Sequence, residues 1–288
     1  MEIPYTFTAR PDTGLYNGKL GIWLFLASEV MLFGALFTSY LFMRIGADPG
    51  TWPQHVLDVR FGFFNTCVLL ISSITMVYAW VALKERKFGA FRGYLLATLL
   101  LGVLFLGVKS YEYYSKYIHY GFFIKADAID KYSEEFKKAD VMVNEVPSQG
   151  VFEVRGHWEN QADKGATFFT VIPDKNFHPV GYKPEGGEAE AGSGDEEQTF
   201  KIDKADVRRW GNLLPAYGTY FAIYFTVTGL HAMHIIGGCV VMLYFLLLGP
   251  KLYRRNPEQL ANRIEVTGIF WHFVDLVWIT VFPILYLS

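Results

Sequence analysis

Cysteine is almost missing from this chain: there are two in 288 residues, Cys67 and Cys239, each inside an apolar run. Two thiols so placed point away from a disulfide framework and cannot form a zinc site alone. Charge is sparse as well, at 19% of residues against about a quarter in an ordinary globular protein. Charged residues are also kept out of long stretches. The formal net charge is −2, but residues 125–206 carry 18 acidic and 10 basic side chains, a local −8, which leaves +6 for the rest. No basic tract suited to nucleic acid appears. Residues 119–209 hold no metal-spaced Cys/His set, Gly-rich phosphate loop or nucleophile motif. Residues 1–17 are polar and turn-rich, and the first apolar run is too long for a signal-peptide core, so no cleavable signal peptide is expected.

What is present in excess is apolar, 52% of residues, and aromatic, 17%. Five segments reach the roughly 20 apolar residues that cross a bilayer: 20–43, 61–83, 91–113, 214–248 and 264–287. The expected fold is an all-α membrane protein. It is a five-transmembrane-helix bundle with a soluble, partly β or irregular insertion between helices 3 and 4. The chain divides into residues 1–118 (tail and helices 1–3), 119–209 (acidic outer-face insertion) and 210–288 (helices 4 and 5). Lys84, Arg86, Lys87 and Arg92 follow the second span, and Lys251, Arg254, Arg255 and Arg263 follow the fourth. The positive-inside rule puts both loops and the N-terminus in the cytoplasm, and the insertion and C-terminus outside.

Glu29 is the only ionisable residue between Leu20 and Met43. A carboxyl in a membrane span costs a few kcal/mol unless it faces a partner or water. Small and hydroxyl residues on the first two spans (Gly34, Thr38, Ser39; Asn65, Thr66, Ser72, Ser73, Thr75) read as close packing. In the third span Lys109 and Glu112 are i,i+3 neighbours able to pair. Tyr111, Tyr113, Tyr114, Tyr117 and Tyr120 fit an interfacial aromatic belt.

Within the insertion, 127–140 suggests a short helix, and 151–158 with 166–172 a β-hairpin. Residues 184–198 have the composition of a disordered linker. His157 and His178 read as surface residues. The fourth span carries Thr228, His231, His234 and Gly238 on one side, and the fifth Glu265, Gly268, His272 and Asp275. Both stripes are expected to turn toward Glu29, with Glu29 bonded to His231 or His234, and His272 to Asp275 or Glu265. Residue chemistry alone leaves several sites open: haem between helices, a zinc or dinuclear centre at Glu29, His231 and His234, or a proton-coupled transporter.

Five strings, in order, resemble subunit III of the haem–copper terminal oxidases. They are GIWLFLASEV (21–30), FNTCVLLISS (64–73), FLGVKSYEY (105–113), TGLHAMHIIGG (228–238) and FWHFVDLVW (270–278). They cover all five spans and leave 119–209 unmatched. The resemblance implies a non-catalytic subunit of a bacterial oxidase that reduces oxygen to water with electrons from cytochrome c or quinol. Such a subunit binds phospholipid, stabilises the catalytic subunit and supports proton uptake. It implies subunits I and II as partners, haem and copper on those chains, and no metal, cofactor or catalytic residue on this one. Residues 119–209 would be periplasmic, able to meet cytochrome c or another respiratory complex. Glu29 matches the family's carbodiimide-reactive glutamate, and His231, His234, His272 and Asp275 its helix-to-helix polar contacts. Trp271 and Glu265 match packing or pairing positions. The chain departs from the common form by lacking two N-terminal helices, by Lys109 in place of Gln, and by a longer outer insertion. Readings from another class are a stand-alone proton-coupled transporter and a haem-bearing quinol-oxidising anchor.

Overall fold

A computed structural model describes residues 17–47, 52, 57–138, 141–146, 149–161, 163, 165–174, 199–212 and 218–287. The expected linker 184–198 and His178 lie outside them. Five helices are long and apolar enough to cross a membrane: α1 (Asn17–Ile45), α2 (Val59–Lys84), α3 (Phe88–Ile118), α5 (Thr219–Arg255) and α6 (Pro257–Tyr286). Between α3 and α5 lie β1 (His119–Lys125), α4 (Ile129–Lys138), β2 (Val143–Val146), β3 (Val151–Trp158), β4 (Phe168–Pro173), β5 (Phe200–Asp203) and β6 (Val207–Asn212). The mixed membrane-helix and strand architecture agrees with the sequence.

Helix ends follow local chemistry. After α2, Arg86 adopts φ 61°, and Lys87 and Arg86 donate to the carbonyls of Ala82 and Leu83. This crossed pair ends a helix with a left-handed residue, normally Gly. Tyr253 Oη donates to the Arg86 carbonyl at 3.1 Å, bracing the turn. Asn256 Oδ1 accepts from the Gln259 N–H at 3.1 Å, with Pro257 first in the helix, so α6 starts on an N-cap followed by proline. The fourth span was expected to end at 248, but α5 continues through Pro250 to Arg255. A carbonyl-rich last turn favours the basic residues Arg254 and Arg255.

The chain forms two compact units. One comprises α1 to Ser39, α2 from Arg60, α3 to Ser110, α5 from Thr226 and α6 to Ile284. In it α1 buries only a narrow seam, Leu26 and Phe33, while Trp23, Met31 and Val30 on other faces are exposed. The tight contact is elsewhere. Trp271 is fully buried in a notch where a Cβ on Gly238 would meet its ring at 2.8 Å and one on Gly102 at 2.9 Å. Small residues let membrane helices approach closely, and here they admit an indole.

The second unit comprises residues 40–59, 111–225 and 285–288. Its six-stranded antiparallel sheet has the order β5-β4-β3-β1-β6, with β2 also on β3. β2 pairs with Val151–Val154 and β4 with Gly156–Trp158, so they share one edge of β3 in succession. Gly156 is required at the second contact, because a Cβ there would lie 2.2 Å from the Ile172 carbonyl oxygen. The expected hairpin of β3 and β4 is present, within a larger sheet. Phe122, Ile124, Val154, Phe169, Ile202 and Val207 make its core, covered by Tyr132 and Phe136 of α4. The helix is clamped by polar contacts. Lys131 pairs with Asp203 and with Asp206 (3.1 Å), and Tyr132 Oη donates to Asp206 at 2.6 Å.

Two predictions follow from this packing. Gly238→Ala should lower stability by about 1–3 kcal/mol through overpacking against Trp271, while Gly107→Ala, with open space at its Cβ, should be near neutral. Thermal unfolding of the two purified variants compares them. The bonds from Tyr132 and Lys131 hold Asp206 below its ordinary value of 3.8. Its contribution is therefore present above that value and is lost as pH falls through the lower folded one. Hydrogen exchange in α4 should accelerate on acidification below about pH 4, and Asp206→Asn should abolish that step.

Candidate functional site

The sequence-selected polar residues sit in the first unit and divide into three groups. Glu29 (α1) and His234 (α5) meet, with Oε2 3.0 Å from Nε2, both largely buried. The other ring nitrogen, Nδ1, is 2.8 Å from the Leu230 carbonyl one turn earlier. A carbonyl can only accept, so Nδ1 carries a proton. The pair then has two forms: a neutral carboxylic acid donating to a bare Nε2, or a carboxylate accepting from an imidazolium. Either way it holds one shared proton and no net charge. Phe33 and Phe270 flank the imidazole at 5.7 and 6.2 Å between ring centroids.

His231 does not reach Glu29. It is 1% exposed, between the edge of Phe105 (5.6 Å) and Trp278 (5.2 Å), and neither ring nitrogen has a partner among the described residues. Lys109, also buried, places Nζ 5.1 Å from the same Trp278 ring.

His272 requires a correction. It bonds neither Asp275 nor Glu265: its Nδ1 lies 2.6 Å from Ser73 Oγ, and Glu265 pairs with Lys19 at 2.7 Å. The reason is the antiparallel alignment of α2 and α6. Trp271 Nε1 donates to Ser72 Oγ at 3.0 Å, and Trp278 Nε1 donates to Thr66 Oγ1 at 3.1 Å, so α2 hydroxyls reach α6 at 271, 272 and, about two turns on, 278. Sequence reasoning assigned those hydroxyls to packing alone. Ser73 also faces Asp275, yet neither carboxyl oxygen of Asp275 has a hydrogen-bond partner among the described residues, and nor does the side chain of the fully buried Asn65.

A further cluster, in the second unit, escaped the sequence. Glu112 of α3 is 5% exposed and accepts from Tyr224 Oη (2.7 Å) and Tyr286 Oη (2.9 Å), while Lys116 lies 3.4 Å away. Its visible sign was Glu112 itself, which the sequence offered to Lys109; its tyrosine partners come from α5 and α6, far along the chain. His157, taken as a surface residue, has Nδ1 3.1 Å from the Ile118 carbonyl, and His119, its cross-strand neighbour, engages Ser115 (2.6 Å). Both rings cap the carbonyl end of α3. Among the described residues, no three His, Cys, Asp or Glu side chains are grouped to hold a metal ion.

Five long apolar helices joined by buried polar contacts define a multi-pass membrane protein, a bundle interrupted by one folded insertion. The chain belongs to the cytochrome c oxidase subunit III family, whose sequence profile matches residues 6–128 and 213–288 and omits 129–212. It is 25% identical to a cytochrome c oxidase subunit 3 of Bacillus subtilis (98% of this chain, 93% of that protein). It is 22% identical to a probable quinol oxidase subunit 3 of Staphylococcus aureus (98% and 94%). A haem–copper oxidase subunit I+III of Aeropyrum pernix is 23% identical over 93% of this chain, which corresponds to 22% of that longer protein. As subunit III of a haem–copper oxidase, the chain partners the catalytic subunits of a multi-subunit complex.

If the Glu29–His234 contact is a true pair, His234→Ala and Glu29→Ala should each destabilise the chain by about 1–3 kcal/mol. The double variant should cost clearly less than the sum. A thermal-unfolding double-mutant cycle measures this, and strict additivity would show that the two side chains are uncoupled.

Proposed function

We propose that this chain is a non-catalytic subunit of a bacterial terminal oxidase, one that reduces oxygen to water with electrons from cytochrome c or quinol. It works by holding the catalytic subunit and phospholipid in place and by supporting proton uptake. The observation that carries this reading is the Glu29–His234 pair. It joins an acid and an imidazole of two apolar spans, both within family-matched segments. The Aeropyrum relative, named as subunits I and III in one chain, supports a place for this subunit beside subunit I. Haem and copper are assigned to subunits I and II. The apolar faces of α1 that the chain leaves exposed, with Met31 70% and Phe42 72% exposed, suit phospholipid or a partner helix.

The basic loops after α2 and α5 support a cytoplasmic N-terminus in the inner membrane. The insertion, residues 119–209, then lies in the periplasm with the C-terminus. Its excess of acidic residues suits a basic cytochrome c or a neighbouring respiratory complex. In this reading Glu29, His234, His272 and Glu265 hold helices together, His231 and Asp275 are buried polar positions of the same bundle, and none of the six is a catalytic residue.

Glu29→Gln tests the proposal. The oxidase should assemble with full haem content and turn over, and this chain should lose labelling by a hydrophobic carbodiimide. Haem missing from the assembled variant would overturn the supporting role, and labelling that persisted would remove Glu29 from the site.

A further inference from the structure

His231 is a buried imidazole whose two nitrogens are both unmet among the described residues. A neutral imidazole has one N–H to give and one lone pair to fill. Its aromatic neighbours satisfy neither. Phe105 approaches edge-on, and Trp278 has already spent its indole N–H on Thr66. Polar atoms left dry in a protein interior are rare, and small ordered waters are the usual remedy.

The surroundings indicate where such water would lead. The titratable side chains near enough to act on His231 are Lys109 of α3 and His234 of α5. Lys109 and His231 border the same Trp278 ring, at 5.1 and 5.2 Å. His234 follows one turn later on the same side of α5, its two nitrogens engaged by Leu230 and Glu29. The unmet ring therefore shares its Trp278 wall with Lys109 and its side of α5 with His234. Asp275, one turn before Trp278 on α6, is the buried acid nearest in sequence to that wall.

We infer that His231 holds ordered water inside the bundle, and that this water also meets Lys109, linking α5 to α3. Water is the ligand whose chemistry fits. It donates to the bare ring nitrogen and accepts from the protonated one and from the Lys109 ammonium. A cation would be repelled by that ammonium, and an anion has no proton to give the bare nitrogen.

A density map of the complex purified from membranes, at about 2 Å, tests the binding. The expected result is a water peak at about 2.6–3.2 Å from Nδ1 or Nε2 of His231. That peak should vanish in His231→Phe, which keeps the aromatic packing and leaves the helices in place. A dry ring, or a ring bonded directly to a side chain, overturns the inference. Lys109→Met tests the link to α3. The water peak beside His231 should weaken or vanish in that variant. A peak that stays in place in Lys109→Met would overturn the link.

Discussion

A polar group inside a membrane span needs a partner in protein or bound water, because hydrocarbon offers none. That requirement sets the arrangement of α2 against α6. Ser72, Ser73 and Thr66 meet Trp271, His272 and Trp278, so the hydroxyls of one helix answer the ring nitrogens of the other in sequence. Each such bond averages only about 0.6 kcal/mol within membranes. Three together are modest against the packing of two fully buried indoles. Their effect is on register: sliding either helix by one turn would leave three ring nitrogens and three hydroxyls without these partners. Trp271 adds a steric lock, since Gly102 and Gly238 provide the notch it occupies.

Glu29 and His234 meet the same requirement by a different route. Removing a charge from water costs several kcal/mol per ion, and even a paired charge often only breaks even. The form with a neutral acid donating to a neutral imidazole carries no ion and so avoids that cost. The Leu230 carbonyl fixes which nitrogen faces the acid. Stability alone would be served as well by two apolar side chains of similar size.

The spans were legible because bilayer thickness imposes a length on apolar runs, and all five appear close to the expected boundaries. The Glu29–His234 contact was legible as one of two options, since a lone acid in an apolar helix needs a partner and α5 offers two imidazoles. The choice between them was not, because His231 and His234 are one turn apart and periodicity places both on one side. The partner of His272 was misjudged for a related reason. Charge suggested an acid, whereas the neighbouring helix supplied Ser73, a residue too common in membrane spans to stand out. The sheet was only partly legible. β3 and β4 alternate and turn recognisably, but β1 continues directly from a transmembrane helix without a break in composition, and β5 and β6 are short.

The insertion raises the question of whether it is an appendage or part of the body. The family profile omits residues 129–212, which on its face argues for an appendage. The contacts of the second unit argue otherwise. Glu112 and Lys116 of α3, Tyr224 of α5 and Tyr286 of α6 all come from matched segments and form one buried cluster. The omitted stretch reaches the same helix end by a hydrogen bond: His157 of β3 places Nδ1 3.1 Å from the carbonyl of Ile118, the last residue of α3. β1, which pairs with β3 along its whole length, continues directly from that residue. Arg155 is buried beside it and bonded to Glu153 at 2.6 Å. The sheet is therefore joined to α3 both through the backbone and across it, which a freely tethered appendage would not be.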